Sequence, residues 1–222
     1  MQIPSEMFDA IRGLNVDEHR TQCFYQYWED EFPDETYLAA HLACIRESLG
    51  SDFTRSEIVD FYRRSEIKME TKFLAAMIWG HEAPADSRRD PRGPWKLSKM
   101  FADPATAQAA IRSVSVETPK EITLAYKLLD KTLDRCGPNF FTKHFYFAGK
   151  AKGLTPYPLI FDDRVANGLV KLAMSSQSSL DLVRVSAVRK PEAYLQYLNF
   201  AEREAKRIGC EMDQIEYFLF NL

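Results

Sequence analysis

An all-α single domain is the fold class this sequence predicts, on three observations. Apolar residues recur at steps of three and four over long segments, helix-start signatures stand at the heads of several of them, and no sustained alternation of period two appears. Asp34 caps a predicted helix whose apolar positions are Tyr37, Leu38, His41, Leu42, Ile45 and Leu49, with Gly50 as its stop. Thr54 and Glu57 form a capping box that opens a second helix carrying Ile58, Phe61 and Tyr62. Ile67, Phe73, Leu74, Met77 and Ile78 continue a helical pattern to Trp79-Gly80. Prolines and clustered arginines make 81–95 a loop. Asp103-Pro104 starts another helix. Thr118-Pro119-Lys120-Glu121 joins an N-cap, a first-turn proline and a box glutamate. The helix after it carries Ile122, Ala125, Leu128, Leu129 and Leu133 on one stripe, and ends at Cys136-Gly137-Pro138. A Phe-rich helix follows over 139–149, then a loop over 150–161. A helix runs from Asp162 to about Met174, and Ser175–Ser179 breaks the pattern. Pro191 starts a long helix that Gly209 ends, and Ile215, Phe218 and Leu219 belong to a short last helix. Only Leu159–Phe161 and Leu182–Val188 look strand-like.

A chain of 222 residues with 45% apolar side chains buries a real core, which excludes a disordered chain. No uncharged apolar run approaches the length of a membrane span, and the N-terminus shows no secretory signal. Cys23, Cys44, Cys136 and Cys210 are far apart and form no metal-ligand spacing, so reduced thiols, a cytoplasmic setting and no metal or organic cofactor are expected. The net charge of −3 conceals an uneven distribution. Residues 1–87 carry 8 basic and 17 acidic side chains, and residues 191–222 carry 3 and 6. Residues 88–190 carry 18 and 9. A basic middle of that size neutralises phosphates, so a polyanion is a natural partner; charge segregation on a folded surface is the alternative. Arg88, Arg89, Arg92, Lys96 and Lys99 form a candidate phosphate clamp or a solvated loop.

The segment from Gly137 through Asn139, Thr142 and Lys143 joins one helix to the next through a tight turn, and Lys143 lies one turn into the second helix among Phe140, Phe141, Phe145 and Phe147. An amine set among apolar groups loses hydration and is the better nucleophile for it. Nineteen residues on, Asp162 ends the apolar run Leu159–Phe161 at the next helix start. That position suits an N-cap, and capping is compatible with a catalytic role. Asp163 beside it leaves the choice of carboxylate open. Trp79, Trp95, Tyr194, Tyr197, Phe218 and Phe220 are candidate base-stacking residues, each also an ordinary core residue.

This layout of helix, hairpin, internal lysine and downstream aspartate resembles the helix-hairpin-helix DNA glycosylases, most closely the 8-oxoguanine DNA glycosylase branch. Trp79-Gly80 and Gly93–Met100 are similar to bacterial proteins of that fold that can occur beside anti-phage defence genes. The resemblance covers about residues 50–175. It implies an acidic N-terminal helical part over 1–50, a glycosylase-like core over 51–175 with its hairpin at 118–149, and C-terminal helices over 176–222. It further implies DNA, duplex or single-stranded, as partner. Lys143 would attack the sugar C1′ and Asp162 would assist. No base-pocket residue is carried over from the family; on their own chemistry Asn139, Thr142 and the basic cluster are the candidates to meet the backbone, and Trp79, Trp95 and Phe218 the base. Where that family usually carries two hairpin glycines this chain has Asn139 and Phe141. The resemblance implies one of two functions: a DNA N-glycosylase with AP-lyase activity acting on a modified purine, or a non-catalytic protein of the same fold that binds nucleic acid, a modified nucleobase or a defence-system partner.

Overall fold

The computed structural model of the protein describes residues 1–32, 37–81, 92–175 and 190–222. Its N-terminal part comprises α1 (Phe8–Arg12), β1 (Arg20–Gln22), α2 (Tyr25–Glu31), α3 (Tyr37–Leu49) and β2 (Asp52–Thr54). The middle of the chain forms α4 (Arg55–Arg63), α5 (Met69–Gly80), α6 (Arg92–Met100), α7 (Pro104–Arg112), α8 (Pro119–Thr132) and α9 (Pro138–Ala151). The chain ends in α10 (Asp163–Ser175), α11 (Pro191–Ile208) and α12 (Met212–Asn221). Among the described residues the protein is all-α apart from the minor two-stranded sheet.

The helix starts obey their local signals. Glu57 N donates to Thr54 Oγ1 (3.2 Å) and Thr54 N donates to the Glu57 carboxylate (2.6 Å), which closes the capping box of α4. Thr118 and Glu121 do the same for α8. Asp103 caps α7 through Thr106 N (3.2 Å).

Two helices are buried on nearly every side. Residues Glu70 to Trp79 of α5 are all buried, as are Phe141 to Phe147 of α9, and the two helices pack against each other. A helix that is apolar all round belongs at the centre, and α3, α4, α7 and α8 cover this pair. Phe141, Phe145 and Phe147 are completely buried, so truncating any of them to alanine costs about 3–5 kcal/mol. On the other flank α10 lies against α12, and α12 against α11. Gly168 permits that approach: a Cβ there would overlap the backbone carbonyl of Leu219.

Four features depart from the sequence-based expectations. The segment 81–95 is not loop throughout, because α6 begins at Arg92; Pro94 sits in its first turn, where the missing N–H costs nothing. Strands β1 and β2 pair antiparallel, with Thr21 opposite Phe53; three residues each are too few to show alternation. Leu159–Phe161 is not a strand but a buried extended segment held by side chains. Leu128 is exposed on α8 rather than part of its buried stripe. The Asp34 cap, Leu182–Val188 and all of the Ser175–Ser179 break beyond residue 175 lie outside the described residues.

His41 is a satisfied core histidine, its Nδ1 2.7 Å from Thr71 Oγ1, and all four cysteines are free. Among the described residues no helix is long and apolar enough to cross a membrane.

Candidate functional site

Lys143 lies in the second turn of α9, on the side that meets the end of α5. Gly80 ends α5 there, and a Cβ on it would overlap Lys143 Cδ and Cε. The glycine therefore supplies the channel along which the lysine stem runs. Its Nζ donates to Asn139 O (2.6 Å) and stands 3.6 Å from Asp162 Oδ2.

Asp162 divides its two oxygens between two tasks. Oδ1 accepts from the backbone N–H groups of Arg164 (3.1 Å) and Val165 (3.0 Å) and caps α10. Oδ2 faces the amine. Asp163 takes a different partner: its Oδ2 accepts from Asn139 Nδ2 (2.7 Å). This bond ties the head of α10 to the head of α9. Thr142 makes a second tie, donating to Pro138 O (2.6 Å) and accepting from Phe161 N (3.0 Å) while fully buried.

Lys143 and Asp162 open into one pocket of about 260 Å³. That lies just below the range of pockets for drug-sized ligands, about 300–1,000 Å³, and suits a ligand no larger than a single flat ring system. Trp79, Arg55, Glu216 and Phe220 also line it. Arg55 Nη1 lies 2.6 Å from Glu216 Oε2, and the two side chains are 1% and 0% exposed. The rings of Trp79 (5.0 Å) and Tyr146 (5.1 Å) stand against the guanidinium. Burial pushes the Glu216 carboxyl up to about 7 against the pull of Arg55, with Asp162 and Asp213 adding to the rise.

The minor sheet positions Arg55. It runs into α4 at this residue, whose N–H donates to His19 O (2.9 Å), and Thr21 Oγ1 donates to Trp79 O (3.0 Å). Neither Arg55 nor Glu216 was among the residues predicted from sequence. Glu216 left a trace, since it falls on the buried stripe Met212, Ile215, Leu219 of α12, where an acid is out of place. Arg55 left none.

The other predicted residues scatter. Trp79 lines the pocket. Phe218 is half-buried against the core and outside the lining, where Phe220 stands instead. Tyr194 and Tyr197 are core, donating to Leu159 O (2.6 Å) and Ile160 O (3.1 Å). Trp95 is exposed on α6, away from the pocket, near Lys99 and Arg135. Lys96 Nζ stands 5.0 Å from the Phe140 ring, at a second cavity of about 590 Å³ beside the hairpin. Arg88 and Arg89 lie outside the described residues, as does the side chain of Arg92. No group of three His, Cys, Asp or Glu able to hold a metal occurs among the described residues.

A helical fold that brings a lysine and an aspartate together from two helix starts, beside a ring-sized pocket, is the arrangement expected of a DNA-glycosylase-like protein. The family model described as "Putative 8-oxoguanine DNA glycosylase OGG-like protein" matches residues 14–220, and the chain belongs to that family. Searches of curated proteins and of solved structures return no match.

Proposed function

We propose that the protein is a DNA N-glycosylase that releases an oxidised or modified purine of the 8-oxoguanine type, with AP-lyase activity. The Lys143 amine attacks C1′ as the C1′–base bond breaks. The bonding pair leaves with the base, which takes the proton the amine gives up; the C1′–O4′ bond then breaks with protonation of O4′ to leave a Schiff base, and loss of a C2′ proton expels the 3′ phosphate. Asp162 Oδ2 faces the cation-like sugar. The base leaves the stack first, at a cost of a few kcal/mol.

The observation that carries this reading is the 3.6 Å approach of Lys143 Nζ to Asp162 Oδ2 beside the pocket. Family membership supports DNA as the partner. Borohydride trapping on DNA holding 8-oxoguanine or an abasic site tests it. The wild type forms a covalent adduct that Lys143→Gln does not. Base release that persists in the variant removes Lys143 from the reaction.

A second reading, a non-catalytic nucleic-acid or nucleobase binder, draws on the hairpin. Asn139 and Phe141 replace its glycines, and the Asn139 amide is committed to Asp163. Salt-dependent DNA binding without trapping marks that reading. In either case we infer a bacterial, cytoplasmic protein that serves repair or, with partner proteins, anti-phage defence, on the strength of the resemblance above.

A further inference from the structure

The hairpin between α8 and α9 carries a strained residue. Arg135 has φ of 59°, and it is the only non-glycine residue with positive φ among the described residues. Glycine is the usual occupant of that conformation, and a side chain held there points to a role paid for elsewhere. The Arg135 guanidinium carbon stands 5.6 Å from the ring centre of Trp95. The same indole is 38% exposed, and Lys99 Nζ is 5.9 Å from its centre.

This cluster is joined to the pocket. Arg135, Lys96 and Phe140 line the second cavity, and Phe140, Asn139 and Asp163 line both cavities. The second cavity, lined also by Asp130 and by Asp134 (Oδ1 3.9 Å from Arg135 Nε), therefore links the Lys143 pocket to the arginine that stands over Trp95. Cations track phosphates, and an exposed indole face offers stacking to a base of any identity.

We propose that Trp95, with Arg135 and Lys99, binds a second unstacked nucleobase, so that the protein engages a single-stranded DNA segment with one nucleotide in the pocket and another of the same strand on the indole. A base inside a duplex is already stacked on both faces. A duplex with one extruded nucleotide frees only that base and its orphaned partner. An aromatic platform outside the pocket is used most fully when the strand is single. This inference rests on the reading of the pocket as a nucleobase site, and the two fail separately. Trapping on abasic DNA reports on the pocket, whereas the preference for single strands reports on Trp95.

The test is fluorescence anisotropy with the full chain and a 12-mer carrying one 8-oxoguanine as its 2′-fluoro nucleoside, which resists cleavage, alone and paired with its complement. The wild type binds the single strand at least tenfold more tightly. Trp95→Ala loses about tenfold on the single strand and less than twofold on the duplex, and Trp95→Phe keeps most of the affinity. Arg135→Gly weakens single-strand binding while its Tm rises, since glycine relieves the backbone. A purely structural arginine would not lose binding as it gained stability.

Unchanged binding in Trp95→Ala overturns the proposal. So does an equal loss on both substrates, which would place the orphaned base of a duplex on the indole. A wild type that binds neither oligonucleotide also overturns it. Trapping by that same wild type would leave the pocket reading intact.

Discussion

Arg55–Glu216 and Lys143–Asp162 line one pocket with opposite designs. The first pair meets at 2.6 Å with side chains 1% and 0% exposed; the second stands at 3.6 Å with side chains 7% and 15% exposed. Arg55 is further enclosed by aromatic rings and has no room to leave its partner. The Lys143 amine is held by a backbone carbonyl and a carboxylate oxygen that has no capping duty. Two charges taken wholly out of water must stay together, because either one alone is left without compensation. A pair at the pocket wall keeps the freedom to exchange its partner for a ligand. The buried pair braces the pocket, and the wall pair is the one suited to chemistry.

Mutations separate the two roles. Glu216→Ala strands the Arg55 charge and costs about 3–5 kcal/mol, measured as a loss in urea unfolding free energy. A cost under about 1 kcal/mol would put the two pairs on the same footing. Asp162→Asn keeps a capping side chain, so stability holds within about 0.5 kcal/mol. Base release in single-turnover assays falls by about 10²-fold, as expected when a charged stabiliser is neutralised. An unchanged rate would reduce Asp162 to a cap.

A third test concerns the core behind Lys143. His144 is buried, with its Nδ1 2.8 Å from Tyr62 Oη, and burial pushes its imidazole down from 6.5 to about 3, with the Lys72 charge adding to the effect. The folded state thus binds fewer protons than the unfolded chain between those values. Its contribution is complete above about pH 6.5 and is lost as pH falls towards 3. His144→Asn should narrow the difference between urea midpoints at pH 7.5 and pH 4, and an unchanged difference would exclude His144 as the sensor. Lys143→Ala abolishes trapping and costs less unfolding free energy than Glu216→Ala, because the pair it breaks stands at the pocket wall and the freed Asp162 carboxylate keeps its backbone donors. Destabilisation on the scale of Glu216→Ala would show that the wall pair is structural.

The parts of the site that were legible in the sequence are those written over short distances. Asp162 follows an apolar run and precedes a helix. Lys143 follows a proline-led turn. Their spacing of nineteen residues fits two helix heads set side by side. The capping boxes at Thr54 and Thr118 were legible for the same reason. Residues whose meaning depends on distant neighbours were not. Glu216 and Arg55 are 161 positions apart, and nothing near either one announces the other. Gly80 looked like a helix end, and its work as a channel for the lysine stem became visible only with α9 in place. Phe218 and Phe220 are two positions apart on α12, and only the packing of that helix decides which reaches the pocket.

By itself the sequence determined where the capped helices begin, most of their apolar stripes and where charge accumulates. Those features arise from capping and periodicity, which act over three or four residues. Only the tertiary structure decided how deep each charge lies and which carboxylate oxygen is left to face the lysine. Burial and electrostatic environment belong to a place in the fold, and that place is assembled from segments remote in the chain.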